Sequence, residues 1–131
     1  MRLWHQSLLP HLPRQQLLGQ HRECCALRGN GWGKKHSVVN YVFEHEPDYL
    51  VAYHWKVMGE MMRRGYEPNR IWRSVSYRGK ELGFEENWCD PALVAACVES
   101  KGIVYPEHDD AYLKECLGNL KGKGVVVSID H

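Results

Sequence analysis

Residues 14–36 hold the densest set of chemically useful side chains in the 131-residue chain. They read Arg-Gln-Gln-Leu-Leu-Gly-Gln-His-Arg-Glu-Cys-Cys-Ala-Leu-Arg-Gly-Asn-Gly-Trp-Gly-Lys-Lys-His. Arg14, Arg22, Arg28, Lys34 and Lys35 supply positive charge, and Glu23 is the only acid among them. Arg and Lys are the side chains that grip a phosphate backbone. A carboxylate set among them could take a proton from a sugar carbon or steady a cationic intermediate. No Gly-x-Ser-x-Gly is present and Cys24 is expected to face the helix core, so the stretch contains an acid but no nucleophile of its own. Trp4, Trp32 and Tyr41 lie close by in sequence; they could stack on bases or serve as core.

Other chemistries fit less well. Eight histidines invite a metal, yet none forms H-x-x-x-H or H-E-x-x-H, and no C-x-x-C exists. The sequence thus leads to no expected metal site and no cofactor. Gly29-Asn30-Gly31-Trp32-Gly33-Lys34-Lys35 resembles a phosphate loop only faintly, because the four-residue gap before Gly-Lys-Ser/Thr is missing. It could equally be a plain helix-to-loop turn.

The elements around this stretch are helical. Pro13 suits a first helical turn, and a helix is expected to about Leu27, with Leu17, Leu18, His21, Cys24 and Cys25 on its apolar stripe and Glu23 nearly opposite. Residues 34–46 could be a short strand or an irregular helix. Pro47 opens a second helix through Arg64, burying Leu50, His54, Val57, Met58 and Met61, with Gly65 as its stop. Residues 66–89 show no period and read as an ordered loop anchored by Trp72, Tyr77, Phe84 and Trp88. Asp90-Pro91 starts a third helix closed by Gly102, and a last helix follows Pro106 to Gly122. The tail from Val125 could add a strand or pack as coil. The expected fold is mainly α: one compact domain over residues 1–131, with three to four helices, long loops and little or no sheet.

Composition agrees with a globular chain: 44% of residues are hydrophobic. Net charge is only +1, but it is unevenly spread. Residues 1–80 carry 13 Lys and Arg against 6 Asp and Glu, and residues 81–131 carry 4 against 10. That split suggests either an anionic partner for the first part or attraction between the two. Five cysteines without regular spacing fit a reducing compartment better than a disulfide framework. No signal peptide and no membrane-length apolar run is visible, so a cytoplasmic protein without membrane contact is expected.

The same residues resemble the pyrimidine-dimer DNA glycosylase family, the phage endonuclease V type. A short arm with an Arg near its start leads into a first helix carrying Arg22-Glu23. Lys34-Lys35-His36 follows the loop, Arg63-Arg64-Gly65-Tyr66 ends the second helix, and a Tyr-x-x-His segment runs from Tyr105 to His108 ahead of the last helix. The resemblance implies a DNA-repair glycosylase with AP-lyase activity that acts, as a monomer, on double-stranded DNA holding a damaged base. It also supplies the missing nucleophile, the α-amine of Met1, which would form a Schiff base with the sugar while Glu23 acts as catalytic acid/base. Arg2, Arg22, Arg28, Lys34, Lys35 and His36 would bind DNA. The chain departs from the family at its start, where Met1-Arg2 stands in place of an exposed threonine. The alternative is a catalytically silent nucleic-acid-binding module of the same fold.

Overall fold

The computed structural model describes residues 2–29, 40–100 and 102–127. Four α-helices run through it: α1 Arg14–Arg28, α2 Pro47–Arg63, α3 Pro91–Glu99 and α4 Asp110–Gly122. Three 3₁₀ turns, Gln6–His11, Asn40–Glu44 and Arg70–Arg73, punctuate the connections. Among the described residues there is no sheet; one isolated antiparallel bridge joins Tyr77 to Phe84. The mainly α fold expected from the sequence is the fold observed.

Helix α2 is the centre. Its buried residues, from Asp48 through Tyr53 and His54 to Met61, cover nearly all of its circumference. One flank joins the main core with the N-terminal arm, α1 and α4, through Leu3, Leu8, Leu17, Leu27, Leu113 and Leu120. The other flank forms a smaller core with α3 through Val51, Ala52, Cys89 and Val94. A helix that is apolar on most sides must be covered on most sides.

The ends follow from local chemistry. Pro47 occupies the first turn of α2, where a missing N–H costs nothing. At the other end Gly65 N–H donates to Met62 O and Tyr66 N–H to Met61 O, with Gly65 at φ 87°. This paired closure requires the left-handed conformation that glycine adopts without strain. The same closure ends α4, where Gly124 N–H reaches Lys121 O and Val125 N–H reaches Leu120 O.

Several local expectations shift. Helix α3 stops at Glu99, because Ser100 already has extended backbone. Helix α4 begins at Asp110 instead of directly after Pro106, because the Asp109 carboxylate caps Tyr112 N–H. Residues 40–44 of the ambiguous stretch form a 3₁₀ turn, and the tail to Val127 has no strand. Phe84 is 59% exposed, so it does not anchor its loop, whereas Tyr77 is buried. The buried face of α1 is Leu17, Gln20, Cys24, Leu27 and Arg28, while Leu18, His21 and Cys25 are only half-buried. A glutamine and an arginine occupy the inner face because each has buried backbone groups to satisfy.

Candidate functional site

The site begins with the arm. Leu3, Leu8, Leu9 and Leu12 are buried, so burial alone draws the arm onto the core. Polar bonds then set its register. Gln20 of α1 accepts the Trp4 N–H at 2.6 Å and donates its Nε2 to the Arg2 carbonyl at 3.0 Å. Tyr53 of α2 donates its hydroxyl to the Trp4 carbonyl at 2.6 Å. Tyr112 of α4 donates to the Leu3 carbonyl. His108 accepts the Gln6 N–H on Nδ1 at 3.0 Å, so its remaining proton is on Nε2, 2.8 Å from the Tyr41 hydroxyl. Burial, with His5 alongside, holds the His108 imidazole down to about 3 and keeps it neutral.

This anchoring brings Arg2 and Trp4 into one cleft with Glu23. A cleft of about 510 Å³ is lined by Arg2, Trp4, Gly19 and Glu23 on one side and by Asn119 and Lys123 at the end of α4. Glu23 is half-buried, and its Oε2 is a buried oxygen with no hydrogen-bond partner among the described residues. Arg2 Nη1 is likewise buried and without a partner among them, while its Nη2 lies 3.2 Å from Glu115 Oε1. A buried polar atom left unpaired costs on the order of 1–3 kcal/mol. Both atoms belong to residues that line the cleft, a carboxylate oxygen and a guanidinium nitrogen without partners among the described residues.

Arg22 is exposed beside the cleft. A side chain added at Gly19 would begin 3.7 Å from Arg22 Nη2, so the guanidinium lies over the glycine that forms part of the cleft wall. Met1, Lys34, Lys35 and His36 lie outside the described residues, as does Trp32. Trp4 is 7% exposed and belongs to the core while touching the cleft. Tyr41 is half-buried against His108, so neither side chain is a free stacking platform.

Arg28 does not have the surface placement expected of a phosphate contact. It is fully buried. Its Nη1 donates to Trp72 O at 2.8 Å, and its Nη2 lies 2.6 Å from Ser74 O and 2.9 Å from Tyr77 O. The guanidinium carbon stands 5.1 Å from the centroid of the Trp72 ring. Burial pushes this guanidinium down to about 10, which leaves it charged at neutral pH. Arg28 therefore fastens the 70–77 loop to α1 and is unavailable to DNA in this arrangement. The helix pattern placed it near other bases in sequence, but its direction was decided by a loop more than 40 residues away.

Arg28 also touches His54, with Nη1 3.1 Å from Nδ1. Since the guanidinium only donates, His54 Nδ1 accepts, and its proton sits on Nε2, 2.8 Å from His21 Nδ1. Burial first, then Arg28 and His21, holds His54 well below the usual histidine range, so the ring is neutral.

Sequence reasoning missed Gln20, Asn119 and Lys123. Gln20 looked like an ordinary polar position, and the other two join the cleft only because α4 packs back on the arm. Lys121-Gly122-Lys123-Gly124 was legible as a helix end but not as a wall of this cleft. No helix among the described residues is long and apolar enough to cross a membrane.

Residues 1–74 match the model of a family described as pyrimidine dimer DNA glycosylase. The match covers the arm, α1, α2 and the Arg70–Arg73 turn; α3 and α4 lie beyond it. No curated protein and no solved structure matches the chain.

Proposed function

The chain belongs to the pyrimidine dimer DNA glycosylase family, and from that premise we propose that it excises damaged pyrimidines from double-stranded DNA through a Schiff base on the α-amine of Met1, followed by AP-lyase cleavage. The observation that carries this proposal is the buried Glu23 Oε2, without a partner among the described residues, on a residue lining the cleft to which Gln20 ties the carbonyl of Arg2. Gln20 lies three residues before Glu23, about one turn of helix. The proposed nucleophile is the α-amine of Met1, the residue joined to Arg2.

The chemistry then runs as follows. The neutral amine attacks C1′ of the damaged nucleotide, the glycosidic bond breaks, and the base departs as its leaving group. The nitrogen gives one proton to the departing base, and its lone pair then breaks the C1′–O4′ bond as O4′ takes a proton from solvent, which leaves an iminium between the enzyme and the opened sugar. The Glu23 carboxylate stabilises that cation and removes a C2′ proton, and the electron pair expels the 3′ phosphate by β-elimination. An α-amine has an ordinary pKa near 8, so a useful neutral fraction exists at pH 7. Arg2 and Arg22 hold phosphates flanking the lesion, joined by Lys34, Lys35 and His36. A damaged base is already weakly stacked, which lowers the cost of turning it out of the helix.

Borohydride tests the intermediate directly, because it reduces the iminium to a stable amine. The expected result is a covalent protein–DNA adduct on duplexes holding a pyrimidine dimer or an abasic site. Glu23→Gln should abolish turnover while leaving DNA binding largely intact. A protein that binds DNA at full strength yet gives no adduct, and whose binding is unchanged by acetylating its N-terminus, would instead be the silent binding module.

A further inference from the structure

His21, Cys25 and His54 form a cluster that the glycosylase chemistry does not use. His21 Nδ1, Cys25 Sγ and His54 Nε2 lie within 4.8 Å of one another, the one such group of potential ligands among the described residues. The nitrogens are 2.8 Å apart, and the sulfur is 4.0 Å from His21 Nδ1 and 3.9 Å from His54 Nε2. A tetrahedral zinc ion with ordinary bond lengths needs roughly 3.3 Å between nitrogens and roughly 3.6 Å between nitrogen and sulfur. Each distance is therefore within about half an ångström of that triangle, a change side-chain rotation can supply.

We propose that these three side chains bind one zinc ion at the seam between α1 and α2. His21 and Cys25 are four residues apart on α1, which puts both donors on one face, and His54 comes from the facing helix. Imidazole with thiolate is a donor set suited to zinc. Three protein ligands leave a fourth position for water or another donor, and His21 and Cys25 are half-buried while His54 is buried. The pattern escapes a search for paired histidines or paired cysteines because its third ligand is on another helix. Glu23 lies two residues from each α1 ligand, about 200° around the helix. The ion is thus on the opposite face from the cleft and independent of the amine chemistry.

Binding has a defined proton balance. Cys25 loses its thiol proton to solvent as the sulfur–zinc bond forms. His54 moves its proton from Nε2 to Nδ1, freeing Nε2 for the metal. Nδ1 then faces Arg28 Nη1, now 3.1 Å away, so Arg28 gives up this one contact while keeping its carbonyl partners at Trp72, Ser74 and Tyr77. Zinc and the Arg28–His54 bond are mutually exclusive, which couples the ion to the anchor of the 70–77 loop.

Cobalt(II) titration of the full chain tests the site, because cobalt takes zinc geometries and is coloured. The expected result is saturation at one equivalent, with a thiolate-to-cobalt charge-transfer band that zinc abolishes. Cys25→Ser should lose the band, and His21→Gln should weaken binding at least about tenfold, both with the circular dichroism of the parent protein. Nitrogen NMR of the histidine rings should show His54 changing from the Nε2–H to the Nδ1–H form when zinc is added, a readout that does not depend on any variant folding. A folded parent protein with no thiolate band, a band undiminished in folded Cys25→Ser, or an unchanged His54 tautomer at saturating zinc would each overturn the proposal.

Discussion

Gln20 and Arg2 are joined by a 3.0 Å hydrogen bond from the glutamine Nε2 to the arginine carbonyl, while the same glutamine's Oε1 receives the Trp4 N–H at 2.6 Å. One buried side-chain amide thus uses both its donor and its acceptor to lock the arm against α1, one turn before Glu23. Neither aspartate nor a hydrophobic residue of similar length can perform both roles.

Gln20→Met is expected to lower stability by about 1–3 kcal/mol, the cost of leaving buried backbone groups of Arg2 and Trp4 unpaired. It should also slow base excision more than it weakens DNA binding, since it displaces the arm with Arg2 but leaves the proposed phosphate contact of Arg22 on α1 in place. Urea unfolding and single-turnover kinetics with dimer-containing duplex separate the two effects. Full excision rates in a destabilised variant would show that the arm needs no such lock.

Arg22 and Arg28 should part company. Arg22 is exposed, so Arg22→Gln is expected to leave thermal stability unchanged and to reduce the slope of log affinity against log salt by about 1. Arg28→Gln removes a buried cation from three carbonyls and is expected to cost at least about 3 kcal/mol. Its effect on DNA binding should follow unfolding and leave the salt slope of the folded fraction alone.

Lys123 closes α4 at its C-cap, is exposed, and faces the cleft that holds Glu23. Lys123→Gln is expected to weaken binding to damaged and undamaged duplexes alike, with a salt slope smaller by about 1. A loss confined to damaged duplexes would mean that the lysine meets the lesion instead of the backbone.

His108 predicts a particular acid sensitivity. Its imidazole is held down to about 3 by burial, whereas the unfolded chain takes up the proton near the ordinary histidine value of 6.5. Between these values the unfolded state binds more protons than the folded one, so stability falls as pH falls. The contribution is whole above about pH 6.5 and declines by up to about 1.4 kcal/mol per pH unit on the way to about 3. The melting temperature should therefore drop between pH 7 and pH 5, and His108→Gln should flatten that drop while lowering stability at pH 7. An equal drop in both proteins would assign the sensitivity to other groups.

By itself the sequence determined the features that depend on near neighbours. Pro47, Gly65, Asp90 and Gly124 mark helix ends because capping and left-handed turns are settled within a few residues. The mainly α fold, the burial of Leu50, Val57 and Met61, and Glu23 as a lone acid on α1 were legible for the same reason, and family membership rests on the order of such local motifs. Tertiary structure decided which way the long polar side chains point. Arg28 reads as one more surface base until residues 72–77 return to cover it. Gln20 reads as a surface amide until the arm folds back on it. His21, Cys25 and His54 look scattered until α1 meets α2, and Lys123 stands apart from Glu23 until α4 closes the cleft. In each case the partner lies more than 15 residues away or on another helix, and an extended polar side chain goes wherever distant backbone or charge satisfies it.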